Sequence, residues 1–441
     1  MAGDLAGYAG MALEALLRAG ARPGDRIGIR LGGEAYEGIL IPRPGFGDPE
    51  SIVVKLPNGY NIGIRAKPGI EVEVLERGER PGYRRAPLPP LGEGLPRIAL
   101  IGTGGTIASR VDYRTGAVEP ALSAEDLYAA VPELSDLARI EAEVLFSEFS
   151  ENLEARHWRE MAIGAARRLE SGAEGVVIAH GTDTMGYSAA ALSFALRGLP
   201  APVILVGAQR SSDRPSSDAA TNLLGAVMMA SRGPFAEVAV AMHEGISDLS
   251  IVAHRGVRVR KCHTSRRDAF RSINSQPLAR CDLRSKRIEM LTSDYRGRGD
   301  GALELRPDFD ERALLLKYFP SMDPSIIDWA VDSGYRGLVI EGTGLGHVAR
   351  RFNGAIRRAA EEGVVVCMAS QCLWGRVNMN VYSTGRDLLA AGAIPLGDML
   401  PETALVKLMW ALGQTRDPGE VKAIMLSNLA GEISERSPYF G

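Results

Sequence analysis

The stretch from Ile98 to Ser109 constrains the fold more than any other part of this sequence. Ile98 to Ile101 is a short apolar run after Pro96, which is typical of a buried parallel strand. A turn rich in glycine and threonine follows, made of Gly102, Thr103, Gly104, Gly105 and Thr106. Open α/β sheets bind ligands at the carboxyl ends of such strands. A phosphate loop is disfavoured because the Gly-Lys-Ser/Thr ending is missing, but a plain turn with solvated threonines remains open.

A second stretch, from Gly175 to Met185, repeats this design. An apolar run is followed by a glycine and then by Thr182 and Asp183. Two strand ends that each present a threonine, with a carboxylate beside one of them, indicate a site for nucleophilic chemistry.

The two motifs, Thr-Gly-Gly-Thr-Ile-Ala and His-Gly-Thr-Asp-Thr-Met, resemble the two signatures of the bacterial-type L-asparaginase/glutaminase family. The resemblance extends from about Leu95 to the C-terminus. It implies an α/β body with a larger, doubly wound domain and a smaller C-terminal α/β domain.

The same resemblance implies the catalytic residues. Thr106 matches the acylated nucleophile, and Thr182, Asp183 and Lys261 match the activating triad. Asp183 would also hold the α-ammonium of the substrate. A surface lysine is the alternative for Lys261, but its surroundings are rich in arginine, which cannot replace a lysine that acts as a base.

The substrate-binding residues follow from the resemblance as well. Tyr113, by contrast, matches a catalytic tyrosine that sits close to the nucleophile on a flexible loop, which closes over the substrate with Gly116 as its hinge; a partly exposed turn tyrosine is the alternative. Ser150 is expected to bind the α-carboxylate, and Gly105 is expected to lie beside the substrate. Glu151 stands where asparaginases commonly carry an amide, so it suits the ammonium but leaves the substrate preference open.

Histidines and cysteines do not form a metal pattern. His180 is predicted to be a buried, hydrogen-bonded residue. His243, His254 and His263 are 11 and 9 positions apart, which suits no site on a single helix, so no metal is predicted. The four cysteines form neither a disulfide framework nor a zinc motif, which favours reduced thiols in a cytoplasmic protein.

The region before the signatures has a different pattern. A helix is predicted from Gly10 to Ala19, and close-set strand segments separated by turns follow it, which favours a small β-barrel. Such barrels often bind RNA, but this stretch is not basic, so a docking or structural module is the preferred interpretation.

These patterns predict five segments. Residues 1–80 form the barrel module, 81–95 a proline-rich linker, 96–282 the larger α/β domain, 283–305 a second linker or a hairpin, and 306–441 the smaller α/β domain. The net charge of −3 creates no field that attracts nucleic acid. No apolar run reaches the length of a membrane span.

A barrel, a proline linker and an asparaginase-like body together resemble the D-type subunits of archaeal glutamyl-tRNA(Gln) amidotransferases. That resemblance implies a glutaminase that supplies ammonia to a larger partner, the E-type subunit, which binds the tRNA and uses ATP and Mg²⁺. No cofactor is expected on this chain itself. In the family, the loop matching Glu341 to His347 completes the site of a neighbouring subunit, which implies a homodimer. The alternatives are a free-standing cytosolic L-asparaginase and an inactive scaffold, against which the intact motif residues argue.

Overall fold

The computed structural model describes residues 5, 7–41, 48–56, 61–78, 92, 94–104, 109–111, 118–120, 127–128, 131–210, 217–299 and 301–436. In chain order the helices are α1 (Gly10–Ala19), α2 (Ala155–Glu170), α3 (Met185–Ala195), α4 (Ala219–Arg232), α5 (Ser325–Asp332), α6 (Asn353–Glu361), α7 (Ser383–Ala390), α8 (Pro401–Gln414) and α9 (Pro418–Leu426).

The strands, in the same order, are β1 (Arg26–Leu31), β2 (Glu34–Leu40), β3 (Ser51–Lys55), β4 (Asn61–Arg65), β5 (Glu71–Glu76), β6 (Arg97–Gly102), β7 (Ser109–Val111), β8 (Val118–Pro120), β9 (Arg139–Val144), β10 (Gly175–Ala179), β11 (Leu196–Arg197), β12 (Val203–Val206), β13 (Val238–His243), β14 (Ser250–Arg255), β15 (Val259–Lys261), β16 (Phe270–Ser272), β17 (Ala279–Asp282), β18 (Arg287–Met290), β19 (Glu304–Leu305), β20 (Ala313–Lys317), β21 (Gly337–Gly342), β22 (Val365–Ser370) and β23 (Ile394–Pro395).

The N-terminal module is one helix on an antiparallel sheet. Helix α1 ends at Gly20, whose left-handed backbone (φ 63°) caps the helix with hydrogen bonds to Leu16 and Leu17. The sheet has the order β4-β3-β2-β1-β5, and its apolar face packs on α1. Helix α1 occupies the predicted residues, Gly10 to Ala19, and short strands separated by turns follow it, as the sequence predicts. No β4–β5 pairing occurs among the residues described, so barrel closure stays a prediction.

The larger domain is built on an eight-stranded sheet of order β18-β17-β14-β13-β12-β10-β6-β9. Five neighbouring strands of this sheet are parallel, namely β13, β12, β10, β6 and β9. Strands β14, β17 and β18 continue the sheet in antiparallel pairs. Helices α2 and α3 cover one face and α4 covers the other. Because both faces are buried, the central strands are uniformly apolar rather than alternating, as the run Ile98 to Ile101 indicated.

The smaller domain has a parallel sheet of order β20-β21-β22-β23. Helices α5, α6 and α7 cover one face, and α8 and α9 cover the other. Two buried ion pairs hold the C-terminal segment: Lys407 contacts Glu432 at 2.6 Å, and Arg258, which contacts Asp398 at 3.0 Å, also donates to the Gly431 carbonyl at 2.7 Å.

The segment 283–305 is partly sheet. Its strand β18 forms a hairpin with β17, and β19 pairs with β11. The hairpin alternative of the sequence analysis therefore describes this region better than a linker does. The sequence also predicts a helix over residues 123–131, which lie largely outside the described residues. Within the described part of the chain, none of the helices is long and apolar enough to cross a membrane.

Candidate active site

The two signature turns leave the sheet side by side. Strands β6 and β10 are parallel neighbours, and Gly102 lies opposite Ala179 at their carboxyl ends. The backbone N–H and the hydroxyl of Thr103 both donate to the Ala179 carbonyl, at 3.1 and 2.9 Å. Thr103 is therefore a buried residue that joins the two turns.

The first turn also packs against the loop that follows β9. The N–H of Glu148 donates to the Thr103 carbonyl at 3.2 Å. Gly104 has φ 112°, and a Cβ there would lie 2.1 Å from the Glu148 carbonyl oxygen. Only glycine fits this position, because a side chain would meet both an unfavourable φ and the backbone of the neighbouring loop.

Lys261 joins the second signature. Its ammonium donates to the Thr182 hydroxyl at 2.9 Å and to the Asp183 carboxylate at 2.7 Å. The Lys261 side chain is 14% exposed, whereas the Asp183 side chain is 68% exposed. The lysine thus contacts both residues while mostly shielded from solvent, and the carboxylate faces outward.

A short hairpin holds the lysine in place. Lys261 ends β15, where it pairs with Phe270 of β16. The preceding residue, Arg260, contacts Glu402 in the first turn of α8 at 3.1 Å. The hairpin therefore connects the lysine to the smaller domain.

Ser150 lies close to the second signature. It begins a short 3₁₀ turn and is buried, and its carbonyl accepts a hydrogen bond of 2.7 Å from the Thr184 hydroxyl. A Cβ on Gly181 would lie 2.8 Å from the Ser150 Cβ, so the two loops touch. The adjacent Glu151 is exposed. Sequence reasoning did not single out Thr184, although it belongs to the second signature.

His180 is enclosed beneath the turn. Its ring nitrogens lie 2.6 Å from the Gly181 carbonyl and 2.8 Å from the Ser188 hydroxyl, which also accepts from the Trp158 indole at 3.1 Å. Burial lowers the pKa of His180 to about 4, so the ring is neutral at physiological pH. Its position is that of a structural support.

Three of the predicted site residues, Gly105, Thr106 and Tyr113, lie outside the described residues. Their predicted roles stay predictions, as do those of Thr182, Asp183, Lys261, Ser150 and Glu151.

The loop from Thr343 to His347 follows β21 in the smaller domain. Thr343 and His347 form an isolated antiparallel bridge that closes it. The Tyr382 ring meets the His347 ring edge-on at 5.6 Å between centroids, and Tyr382 is 59% exposed. Trp374 is similarly exposed, at 54%. This part of the smaller domain presents aromatic side chains at its surface.

Comparison with known proteins first defines the class. The family description "Asparaginase, N-terminal" matches residues 97–295, and "Glutaminase/Asparaginase C-terminal domain" matches 312–425. The thermostable L-asparaginase from Thermococcus kodakarensis superposes with a TM-score of 0.70 at 32% identity, covering 77% of this chain and 100% of that chain. L-asparaginase I from Vibrio cholerae gives 0.67 at 30% identity, covering 77% and 99%. The fold is that of the asparaginase/glutaminase class.

The N-terminal module narrows the class to one family. Residues 21–75 match the description "GatD N-terminal domain". The D-type subunit of glutamyl-tRNA(Gln) amidotransferase from Thermofilum pendens is 52% identical over 98% of both chains, and that from Pyrococcus furiosus is 56% identical over 90% of this chain and 91% of the relative. This chain belongs to the family of D-type glutamyl-tRNA(Gln) amidotransferase subunits. The predicted family and two-domain α/β body are confirmed.

Proposed function

We propose that this chain is the glutaminase subunit of a tRNA-dependent amidotransferase. It hydrolyses glutamine and supplies the ammonia that a partner subunit uses to convert Glu-tRNA(Gln) to Gln-tRNA(Gln). The observation that carries the proposal is identity of 52% along 98% of both chains, N-terminal module included. The solved L-asparaginases cover only 77% of this chain, so an asparaginase function leaves the rest of the chain unexplained.

The chemistry proposed is acyl transfer through a threonine. The Thr106 hydroxyl attacks the side-chain amide carbon of glutamine, ammonia leaves, and water then hydrolyses the ester to release glutamate. Lys261 contacts both Thr182 and Asp183. In this scheme the three residues move the proton that must leave a hydroxyl and reach the departing nitrogen.

Substrate binding uses groups from separate loops. Asp183, which is exposed, receives the α-ammonium in this proposal, and Ser150, which lies against Gly181, binds the α-carboxylate. Glu151 adds a second carboxylate for the ammonium, Gly105 lies along the substrate, and Tyr113 closes over it.

The partners belong to the same proposal. We propose that two copies of this chain associate so that the loop from Glu341 to His347 of each copy faces Thr106 of the other, and that the larger E-type subunit completes a heterotetramer in the cytoplasm. This chain binds no cofactor, and ATP and Mg²⁺ act in the E-type subunit, which also binds most of the tRNA. The resemblance to solved L-asparaginases keeps a free-standing L-asparaginase as the second candidate.

The test is ammonia release from glutamine and from asparagine by the full chain, with and without the E-type partner and Glu-tRNA(Gln). Hydrolysis without an acceptor wastes glutamine, so we expect a slow isolated chain and a rate at least about tenfold higher in the complex, which corresponds to about 1.4 kcal/mol of coupling. Light scattering should give two copies of each of the two chains, and Thr182→Val should abolish the rate.

A different outcome would support the second candidate. A fast rate that is indifferent to the E-type partner and tRNA, with asparagine preferred over glutamine, would identify a free-standing asparaginase. A competent monomer in light scattering would contradict the proposed dimer.

A further inference from the structure

A chain of hydrogen bonds connects the turn after β12 with the hairpin that carries Lys261. It passes through polar side chains, several of them buried, that none of the proposed catalytic steps uses. Its members are Asp218, Asn222, His243, Asp248 and Arg267.

The first end of this chain holds the turn after β12. The Asp218 carboxylate accepts from the N–H groups of Gln209 and Arg210 at 3.0 and 2.9 Å. The Asn222 amide donates to the Gly207 carbonyl at 2.9 Å. A Cβ on Gly207 would lie 2.7 Å from the Thr182 Cγ2, so this turn packs directly against Thr182.

The Asn222 side chain has only one orientation that suits its partners. Its Nδ2 faces two acceptors, the Gly207 carbonyl at 2.9 Å and the Asp218 carboxylate at 3.0 Å. Its Oδ1 therefore faces Nδ1 of His243, at 2.6 Å. Because Oδ1 can only accept, Nδ1 of His243 must carry a proton.

The other ring nitrogen of His243 also faces acceptors. Nε2 lies 3.1 Å from the Asp248 carboxylate and 3.4 Å from the Thr221 hydroxyl. That hydroxyl can donate its single proton to the Asp218 carbonyl at 3.1 Å and accept from the ring, whereas the Asp248 carboxylate can only accept. A neutral His243 would direct a lone pair at these oxygens. Only a ring protonated on both nitrogens satisfies all its contacts, and the ring is fully buried.

The far end of the chain reaches the Lys261 hairpin. The Asp248 carboxylate, 57% exposed, accepts from the Arg267 guanidinium at 2.6 Å. Arg267 lies in the loop between β15 and β16, whose first strand ends at Lys261. The Arg267 guanidinium also donates to the Ile246 carbonyl, at 3.4 Å.

We infer that His243 is held as an imidazolium cation and acts as a positioning residue. It joins the turn that packs on Thr182 to the loop of the hairpin that carries Lys261. Opposite charges alternate along the chain, from the buried Asp218 carboxylate to the ring, then to Asp248 and Arg267. The inference rests on the proposed function, because the quantity it protects is the Lys261–Thr182 contact of 2.9 Å.

The protonation state has a direct test. We expect nitrogen NMR of ¹⁵N-histidine-labelled full-length chain at neutral pH to show both His243 nitrogens protonated, with His243→Gln assigning the signal. In Asp248→Asn the new amide can donate to Nε2, so the ring should become singly protonated. A singly protonated ring in the parent chain would overturn the inference, whatever the activity results.

The positioning role is tested by kinetics on Asp248→Asn, since Asp248 is largely exposed and its replacement spares the core. We expect kcat for glutamine to fall about tenfold with little change in KM, because displaced catalytic groups lose rate rather than binding. The matched control is Asp332→Asn, which removes another exposed carboxylate paired with an arginine, Arg358. It should keep the parental kcat.

Two failures remain distinguishable. Parental kcat in Asp248→Asn overturns the positioning role while leaving the proposed function intact. A parent chain that releases no ammonia from glutamine, even with the E-type partner and tRNA, contradicts the proposed function, and the nitrogen NMR still decides the charge state of His243.

Discussion

Lys261 donates to Thr182 and Asp183 at once, and this double contact places a lysine of low exposure beside a hydroxyl and a carboxylate. An arginine could make similar contacts, because its guanidinium also donates to two acceptors. It could not release a proton, since its pKa lies far above the working range. Replacing Lys261 with arginine therefore distinguishes a lysine that acts as a base from one that acts only through its charge.

We expect Lys261→Arg to lower the glutaminase rate by about a hundredfold or more, the usual scale for loss of a general base. Steady-state ammonia release in the presence of the E-type partner and tRNA measures it. Lys422→Arg, at an exposed position on α9, is the matched control and should keep parental activity. Near-parental activity in Lys261→Arg would reduce the lysine to a charge partner of Asp183.

At the scale of elements, the site depends on how closely the ends of neighbouring strands approach. The turn after β6 leaves no space for a side chain at Gly104, and the turn after β10 touches Ser150 through Gly181. The β15–β16 hairpin then brings Lys261 to the same edge of the sheet. Loops from three elements thus meet with little room for displacement.

We expect Gly181→Ala to lower kcat/KM for glutamine about tenfold or more, because the new methyl group would displace Ser150 and its loop. Gly354→Ala is the matched control. It lies on α6 with open space around it, so it should keep activity and raise stability by about 0.5–1 kcal/mol. Parental kcat/KM in Gly181→Ala would show that the Ser150 loop moves aside freely.

At the scale of the whole molecule, two buried histidines connect folding stability to pH. Burial lowers the pKa of His180 to about 4 and that of His254 to about 3. Both rings are therefore neutral in the folded protein, whereas histidine in the unfolded chain has a pKa of about 6.5. Below that pH the unfolded chain binds more protons than the folded chain. The folding stability that these two neutral rings contribute is therefore fully present above the pKa of unfolded histidine. It is lost as the pH falls towards the pKa values of the folded protein.

We expect the unfolding free energy to fall by about 1.6 kcal/mol for each of His180 and His254 between about pH 6.5 and 5. Urea unfolding at a series of pH values measures the slope. Native-state carboxylates with lowered pKa, such as Glu143 beside Arg168, act in the same direction but mostly below about pH 4.5. His254→Gln should therefore reduce the slope in the upper window, and a flat profile there would contradict the assignment.

How far the sequence predicts this protein depends on the range of the interactions concerned. Strand β6, strand β10 and helix α1 follow from local apolar patterning and glycine punctuation, so their positions were predicted within a residue or two. The family was also within reach, because each signature is a contiguous string of residues, and the resemblance grouped Lys261 with Thr182 and Asp183 without showing their contacts.

Only the tertiary structure decided which distant residues meet. Lys261 and Thr182 are 79 positions apart, and no periodicity in the chain links them. The pairing of β18 with β17 resolved a segment that composition left between linker and hairpin. The spacing of His243 from the other histidines predicts no metal site and indicates no other role for it. Its contacts with Asn222 and Asp248 arise only when α4 and the turn after β13 are packed together. Local sequence patterns determine the helices and strands. The protonation of the buried His243 ring depends instead on hydrogen-bond acceptors that separate helices and turns supply.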